Sequence, residues 1–257
     1  MRTVKLLISF DGRHYCGWQR QNGQVTIQGA LEGVVSQICN EPITLHGAGR
    51  TDAGVHASGM VAHFRTESSI SCQSLLCGLN SLLASAIRIH RVEDAPASFH
   101  ARKSAVGKQY WYFFSCADVL AATRIPVVAH LPKLQDLDTM AECLPLIQGT
   151  HDFSSFEAVG SRDRSRLTGR GAERTLTRVA IEPSDSPFAD EYKLVLHGDG
   201  FLRKMVRNIA GTLFEVGCGR MSVPDFQAVL RARDRTLAGP TAPACGLFLH
   251  RVDYAKD

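Results

Sequence analysis

The chain has 257 residues and a mass of 28.1 kDa, and 44% of it is hydrophobic and 21% charged, enough for an ordinary core in one large or two small domains. Its 29 basic and 25 acidic residues give a net charge of +4. No apolar run approaches the roughly 20 residues of a membrane span, and the composition excludes collagen, coiled coil and disorder.

Residues 1–5 lead into a strand-like stretch without a cleavable signal pattern, so a cytoplasmic protein is expected. The first strand is expected over residues 4–10 and stops at Asp11-Gly12. Thr26 reads as the N-cap of a helix with Ile27, Leu31, Val34, Val35 and Ile38 on one face. A short strand is expected at 43–46, then a glycine-dense loop over 47–54 and a strand at 60–64. Leu75, Leu76, Leu79, Leu82 and Leu83 mark a second helix, and 87–93 reads as a strand.

The order then roughly recurs. Residues 108–115 read as a strand with Tyr110, Tyr112 and Phe114 on one face and Trp111 and Phe113 on the other. A helix over 136–148 and strands at 175–182 and 191–197 follow. Leu202, Met205, Val206, Ile209, Ala210, Leu213 and Phe214 form the strongest helical stripe, ended by Gly217 and Gly219. A helix opens at Ser222 with a capping-box pattern, and the last strand covers 247–254.

Strand, helix, two strands, helix, strand in each half predicts an α+β fold of two ferredoxin-like, or split βαβ, halves. The expected halves are residues 1–105 and 106–257, with mixed, mostly antiparallel sheets and a central cleft between them.

Eight cysteines stand at 16, 39, 72, 77, 116, 143, 218 and 245 with no CxxC pair, so reduced thiols are expected rather than a zinc site or disulfide framework. Charge is unevenly spread. Six arginines (162, 164, 166, 170, 174 and 178) face only Asp163 and Glu173 between 161 and 178. Such patches on a nearly neutral body suit a polyanion or a solvated surface.

The most unusual stretch is GAGRTDAGVH at residues 47–56. Three glycines in eight residues permit sharp bends and close approach to a ligand. The loop is neither a P-loop nor GxGxxG, so nucleoside-triphosphate binding is not expected. A tight turn capped by Asp52 is the plain alternative. Asp52, His56 and His63 do not have the spacing of a metal site, and no metal is expected.

GRTDAGVHA at 49–57 resembles the active-site motif of the TruA family of tRNA pseudouridine synthases. Further resembling segments are SFDGRHYCGWQ (9–19), TIQGALE (26–32), FHARKSAVGKQYWY (99–112), GTHDFSSF (149–156), ERTL (173–176), GFLRKMVRNIAG (200–211) and APACGLFL (242–249). They span essentially the whole chain in order. Ala84 and Ala86 stand where the family often has proline and an acid, and the loop at 161–171 is unusually rich in arginine.

The resemblance implies an isomerase that converts uridine to pseudouridine at positions 38, 39 and 40 of the tRNA anticodon stem-loop, without a cofactor. It implies Asp52 as the essential carboxylate, either nucleophile or base, and Arg207 as its cationic neighbour. It implies Arg50 as the group that takes the place of the flipped base and Tyr110 as the plane that holds the uracil. Phe99, His100, Ala101, Arg102, Lys103 and Arg174 are implied RNA contacts, with Arg102, Lys103 and Arg174 on phosphates. It also implies a homodimer. Two other classes remain open at this point: a noncatalytic RNA-binding module, and a metal-dependent phosphohydrolase using Asp52 and His56.

Overall fold

A computed structural model describes residues 1–134, 136–161, 170–188 and 190–255. The greater part of the arginine-rich loop expected at 161–171, including Arg162, Arg164 and Arg166, lies outside the described residues. The chain is mixed α+β and divides into two compact units, Met1–Lys108 with Phe248–Asp257, and Gln109–Leu247. Among the described residues no helix is long and apolar enough to cross a membrane.

The first unit begins with β1 (Arg2–Phe10), α1 (Ile27–Cys39), β2 (His46–Gly47) and β3 (His56–Thr66). It continues with α2 (Cys72–Leu82) and β4 (Ile87–Ala95). β1 runs antiparallel to both β3 and β4, and β2 runs antiparallel to β3. Val4, Leu6 and Ile8 are fully buried, as period-two alternation requires. Thr26 caps α1, its hydroxyl accepting from Gly29 N–H at 3.2 Å, and Ile27, Leu31 and Val35 form the buried stripe. Ile38 of α1 packs closely over Gly78 of α2.

The expected strand at 43–46 forms only at its end. Leu45 instead gives its N–H to the Glu32 carboxylate at 2.9 Å, and its carbonyl accepts from the Gln28 amide at 3.0 Å. Two polar side chains of α1, both buried, thus do the work a neighbouring strand would do. Gln28 also donates to Glu32 at 3.0 Å, and Arg20 lies 3.1 Å from the same carboxylate.

The second unit contains most of β5 (Ala105–Ser115), then β6 (Ala129–His130), α3 (Leu137–Ile147), β7 (Gly149–Asp152) and β8 (Glu173–Pro183). β9 (Glu191–Gly198), α4 (Met205–Gly217) and α5 (Val223–Ala232) complete it. The strand order here is β5-β9-β8-β7, with β6 parallel to β5. Tyr110, Tyr112 and Phe114 alternate inward on β5, as expected. Ser222 and Asp225 form the capping box of α5. α4 starts at Met205, three residues later than its apolar stripe, because Lys204 adopts a left-handed φ of 61°.

The final strand, β10 (Leu247–Tyr254), departs from the sequence-based division. It pairs in parallel with β3, Phe248 opposite His56 and Leu249 opposite Ala57, so Phe248–Asp257 belongs with the first unit. The reason is local: Gly59 of β3 has no side chain, and His250 O lies 2.1 Å from where a Cβ would stand.

Candidate active site

Asp52 sits in a turn at the foot of β3, half-buried, with its own carbonyl accepting from Val55 N–H at 3.2 Å. The loop is seated on residues 12–18. Trp18 N–H donates to Thr51 O at 3.1 Å, and Gly54 N–H to Tyr15 O. Gly17 has φ of +85°, and a Cβ there would lie 2.5 Å from Thr51 O. At Gly12 a Cβ would lie 2.0 Å from Val55 O. The Trp18 ring is buried against Gly47, where a Cβ would lie 2.6 Å from it. Glycines are required at these positions because backbone and indole occupy the space a side chain would take.

Ala48 anchors the other side of the loop through its N–H to Val61 O at 2.8 Å. Arg50 is exposed. The Lys108 ammonium lies 3.5 Å from the site of a Gly49 Cβ, so a cation absent from the sequence-based candidates stands beside the loop.

His56 is buried. Its Nδ1 accepts from Gly12 N–H at 3.3 Å, lies 3.3 Å from Asp11, and its ring stacks on Phe248 with centroids 4.6 Å apart. The hydrogen bond and ion pair from Arg13 hold the Asp11 carboxyl below its usual range.

The segment 99–103 is held by a histidine cluster. His63 Nδ1 accepts from Ala101 N–H at 3.2 Å, and Tyr254 donates its hydroxyl to Ala101 O at 2.7 Å. His100 Nδ1 accepts from Arg102 N–H at 3.1 Å and Lys103 N–H at 3.3 Å. The His63 ring lies 5.2 Å from His46 and 4.7 Å from His100. Burial, with the neighbouring His100 and His46, lowers the His63 pKa to about 4, so its imidazole is neutral and Nε2 carries the proton.

Lys5, opposite His63 in the β1–β3 register, places its ammonium 5.4 Å from the Phe99 centroid. Phe99 and His100 are half-buried, Arg102 and Lys103 are exposed, and Ala101 is fully buried. Ala101 is therefore an anchor for its two cationic neighbours, and its side chain faces the interior.

Tyr110, Arg174 and Arg207 belong to the second unit. Tyr110 is buried on β5 and meets Phe201 edge-on at 4.8 Å. Arg174 lies on β8 opposite His151 of β7, and its Nη1 donates to Gly171 O at 3.0 Å. Arg207, in the first turns of α4, exchanges two bonds with Ala242. Its Nε donates to Ala242 O at 2.7 Å, and its own carbonyl accepts from Ala242 N–H at 3.0 Å.

Among the described residues no group of three or more His, Cys, Asp or Glu side chains is arranged to hold a metal ion. His56 and His63 each use Nδ1 to accept a backbone N–H, which fits a structural role better than ligation. The cysteines among the described residues are free thiols.

A family model described as tRNA pseudouridine synthase matches residues 6–102 and 145–255. The chain is 47% identical over 254 residues to tRNA pseudouridine synthase A 1 of Desulfotalea psychrophila, across 99% of this chain and 100% of that protein. It is 40% identical over 257 residues to tRNA pseudouridine synthase A of Geobacillus kaustophilus, across 100% and 96% of the two chains. It is 38% identical over 254 residues to tRNA pseudouridine synthase A of Acetivibrio thermocellus, across 99% and 100%.

Proposed function

Because this chain belongs to the tRNA pseudouridine synthase family, we propose that it isomerises uridine to pseudouridine in tRNA, at positions 38, 39 and 40 of the anticodon stem-loop. The observation that carries this is a family match extending over both units and including the GRTDAGVHA loop.

The reaction breaks the N1–C1′ bond, turns the uracil and joins C5 to C1′. N1 gains a proton and C5 loses one, so the atoms balance without a donor, oxidant or cofactor. An ionised Asp52 suits either attack on the nucleoside or removal of the C2′ proton to give a glycal. Arg207 is the cationic partner of that carboxylate. The fixed seat of the Asp52 loop supports this reading, since a catalytic carboxylate must be held in place before substrate arrives.

The target base must leave its stack, at about a few kcal/mol. Arg50 takes its place, which its exposure supports. The Tyr110 ring stacks on the uracil and tolerates rotation of the base within its plane. Arg102, Lys103 and Arg174 bind phosphates, while Phe99, His100 and Ala101 form the segment that presents them. Each unit is a ferredoxin-like half. The element order β1-α1-β2-β3-α2-β4 supports this for the first unit. The enzyme works in the cytoplasm as a homodimer, which gives a molecule of modest charge a longer surface for tRNA.

The test is incubation with unmodified tRNA and mapping of the altered uridines. Asp52→Asn is expected to bind tRNA and form no product. Near-normal turnover by Asp52→Asn removes the assigned chemistry, and modification elsewhere in the tRNA removes the assigned positions.

A further inference from the structure

We infer that Asn208 and Thr241 are positioning residues for the Arg207 guanidinium, acting through the strap of chain that carries Ala242. This rests on the proposed role of Arg207.

An arginine side chain has many rotamers, and a cation that must meet one carboxylate gains from having few. Here Nε is engaged by Ala242 O at 2.7 Å, which leaves recognition of an anion to the Nη groups. The bond restrains the guanidinium only as well as Ala242 itself is held. Four observations show how it is held. Ala242 N–H returns a bond to Arg207 O, tying the strap to the same residue it orients. Asn208 is fully buried beside Arg207, and its Oδ1 accepts from the Thr241 hydroxyl at 2.7 Å and from Arg235 at 3.2 Å. Asn208 Nδ2 donates to Phe156 O at 2.8 Å, so the amide cannot turn without losing partners on both sides. The strap lies directly on α4: a Cβ on Gly211 would stand 1.7 Å from Pro240 O, and Gly239 N–H donates to the Thr212 hydroxyl at 3.0 Å.

Asparagine is a poor choice for a helix interior on propensity alone. Position 208 needs one side chain with both an acceptor and a donor, and leucine or alanine would satisfy neither. The result is a clasp. α4 supplies Arg207 and Asn208, the strap supplies Thr241 and Ala242, and the two pairs bond in register.

Asn208→Ala would leave Phe156 O without its donor and the Thr241 hydroxyl without its acceptor, and is at risk of not folding. Half-buried Thr241 is the better probe. Thr241→Val removes the hydroxyl and keeps the shape, while Thr241→Ser keeps the hydroxyl. Single-turnover rate on unmodified tRNA, tRNA Kd and Tm are measured for both variants and for Arg207→Ala, with rates taken well below Tm. Thr241→Val is expected to slow the chemical step about threefold to tenfold with Kd unchanged, and Thr241→Ser to restore it. If Thr241→Val runs at the parent rate while Arg207→Ala is slow, the clasp does not position the arginine and this inference fails alone. Equal slowing by valine and serine also overturns it, since the hydroxyl is then irrelevant. If Arg207→Ala runs at the parent rate, the role proposed for Arg207 fails and takes the inference with it.

Discussion

His63 Nδ1 receives the backbone N–H of Ala101, the residue before two exposed cations, Arg102 and Lys103. That bond requires an unprotonated Nδ1. The unfolded chain takes up this proton near pH 6.5, but the folded chain only near 4. Between these values the unfolded state binds more protons, so stability falls as pH drops from about 6.5 to about 4, by about 1–3 kcal/mol. His100, His46 and Arg65 lie near the ring, and their positive or potentially positive charge adds to the penalty. His63→Asn places an amide oxygen near the Nδ1 position without a titrating group. Urea midpoints measured from pH 4 to 7 are expected to slope less for this variant than for the parent.

Glu32→Ala is expected to cost about 2–4 kcal/mol, read from chemical denaturation with an unchanged m-value. The change strands Leu45 N–H in the interior and removes one of the two acceptors of the Gln28 amide. Glu32→Gln keeps an acceptor oxygen and is expected to lose less than half as much.

Gly17→Ala forces a Cβ toward Thr51 O at a positive φ, the residue adjoining Asp52. It is expected to cost about 1–3 kcal/mol and to lower kcat more than it raises KM. Gly23→Ala is the control. It has φ of +72° with nothing within 4 Å, so it carries the backbone strain without displacing the loop. Its kcat is expected to match the parent; equal loss in both variants would show that the seat under Thr51 is unimportant.

Tyr110→Phe retains the ring and is expected to lose less activity than Tyr110→Leu. Stacking of about 1–3 kcal/mol per base sets the scale of the difference. The reverse order in single-turnover rates would count against stacking as the task of this ring.

Most helices and strands were legible because their signals are local. Ile27, Leu31 and Val35 repeat at helical spacing behind the cap of Thr26, and Tyr110, Tyr112 and Phe114 alternate along β5. What escaped depends on partners distant in sequence. Nothing near Leu45 announces that Glu32 and Gln28 will satisfy its backbone, so a strand was expected there. The parallel pairing of β10 with β3 joins residues about 190 positions apart, which periodicity does not encode. The backward turn at Lys204 is a non-glycine left-handed residue, invisible to propensity.

The candidate site divides in the same way. Asp52, Tyr110 and Arg207 came from resemblance, and the sharply bent loop came from its glycines. The seat beneath that loop did leave a trace, since Gly12 and Gly17 share one short stretch with two aromatics, Tyr15 and Trp18. Lys108 beside Gly49, His63 beneath Ala101 and Asn208 beside Arg207 left none, because each looks like an ordinary strand or helix residue until its neighbour is known.

Because Phe248–Asp257 completes the first unit, the whole of Gln109–Leu247 is an insertion in its sequence order. A ribosome must therefore finish the second unit before the first can acquire its parallel strand. During that interval His56 lacks the Phe248 ring and Ala101 lacks the Tyr254 hydroxyl. The nascent chain thus carries the Asp52 loop on an unfinished support until β10 has left the exit tunnel, long after the loop itself was made.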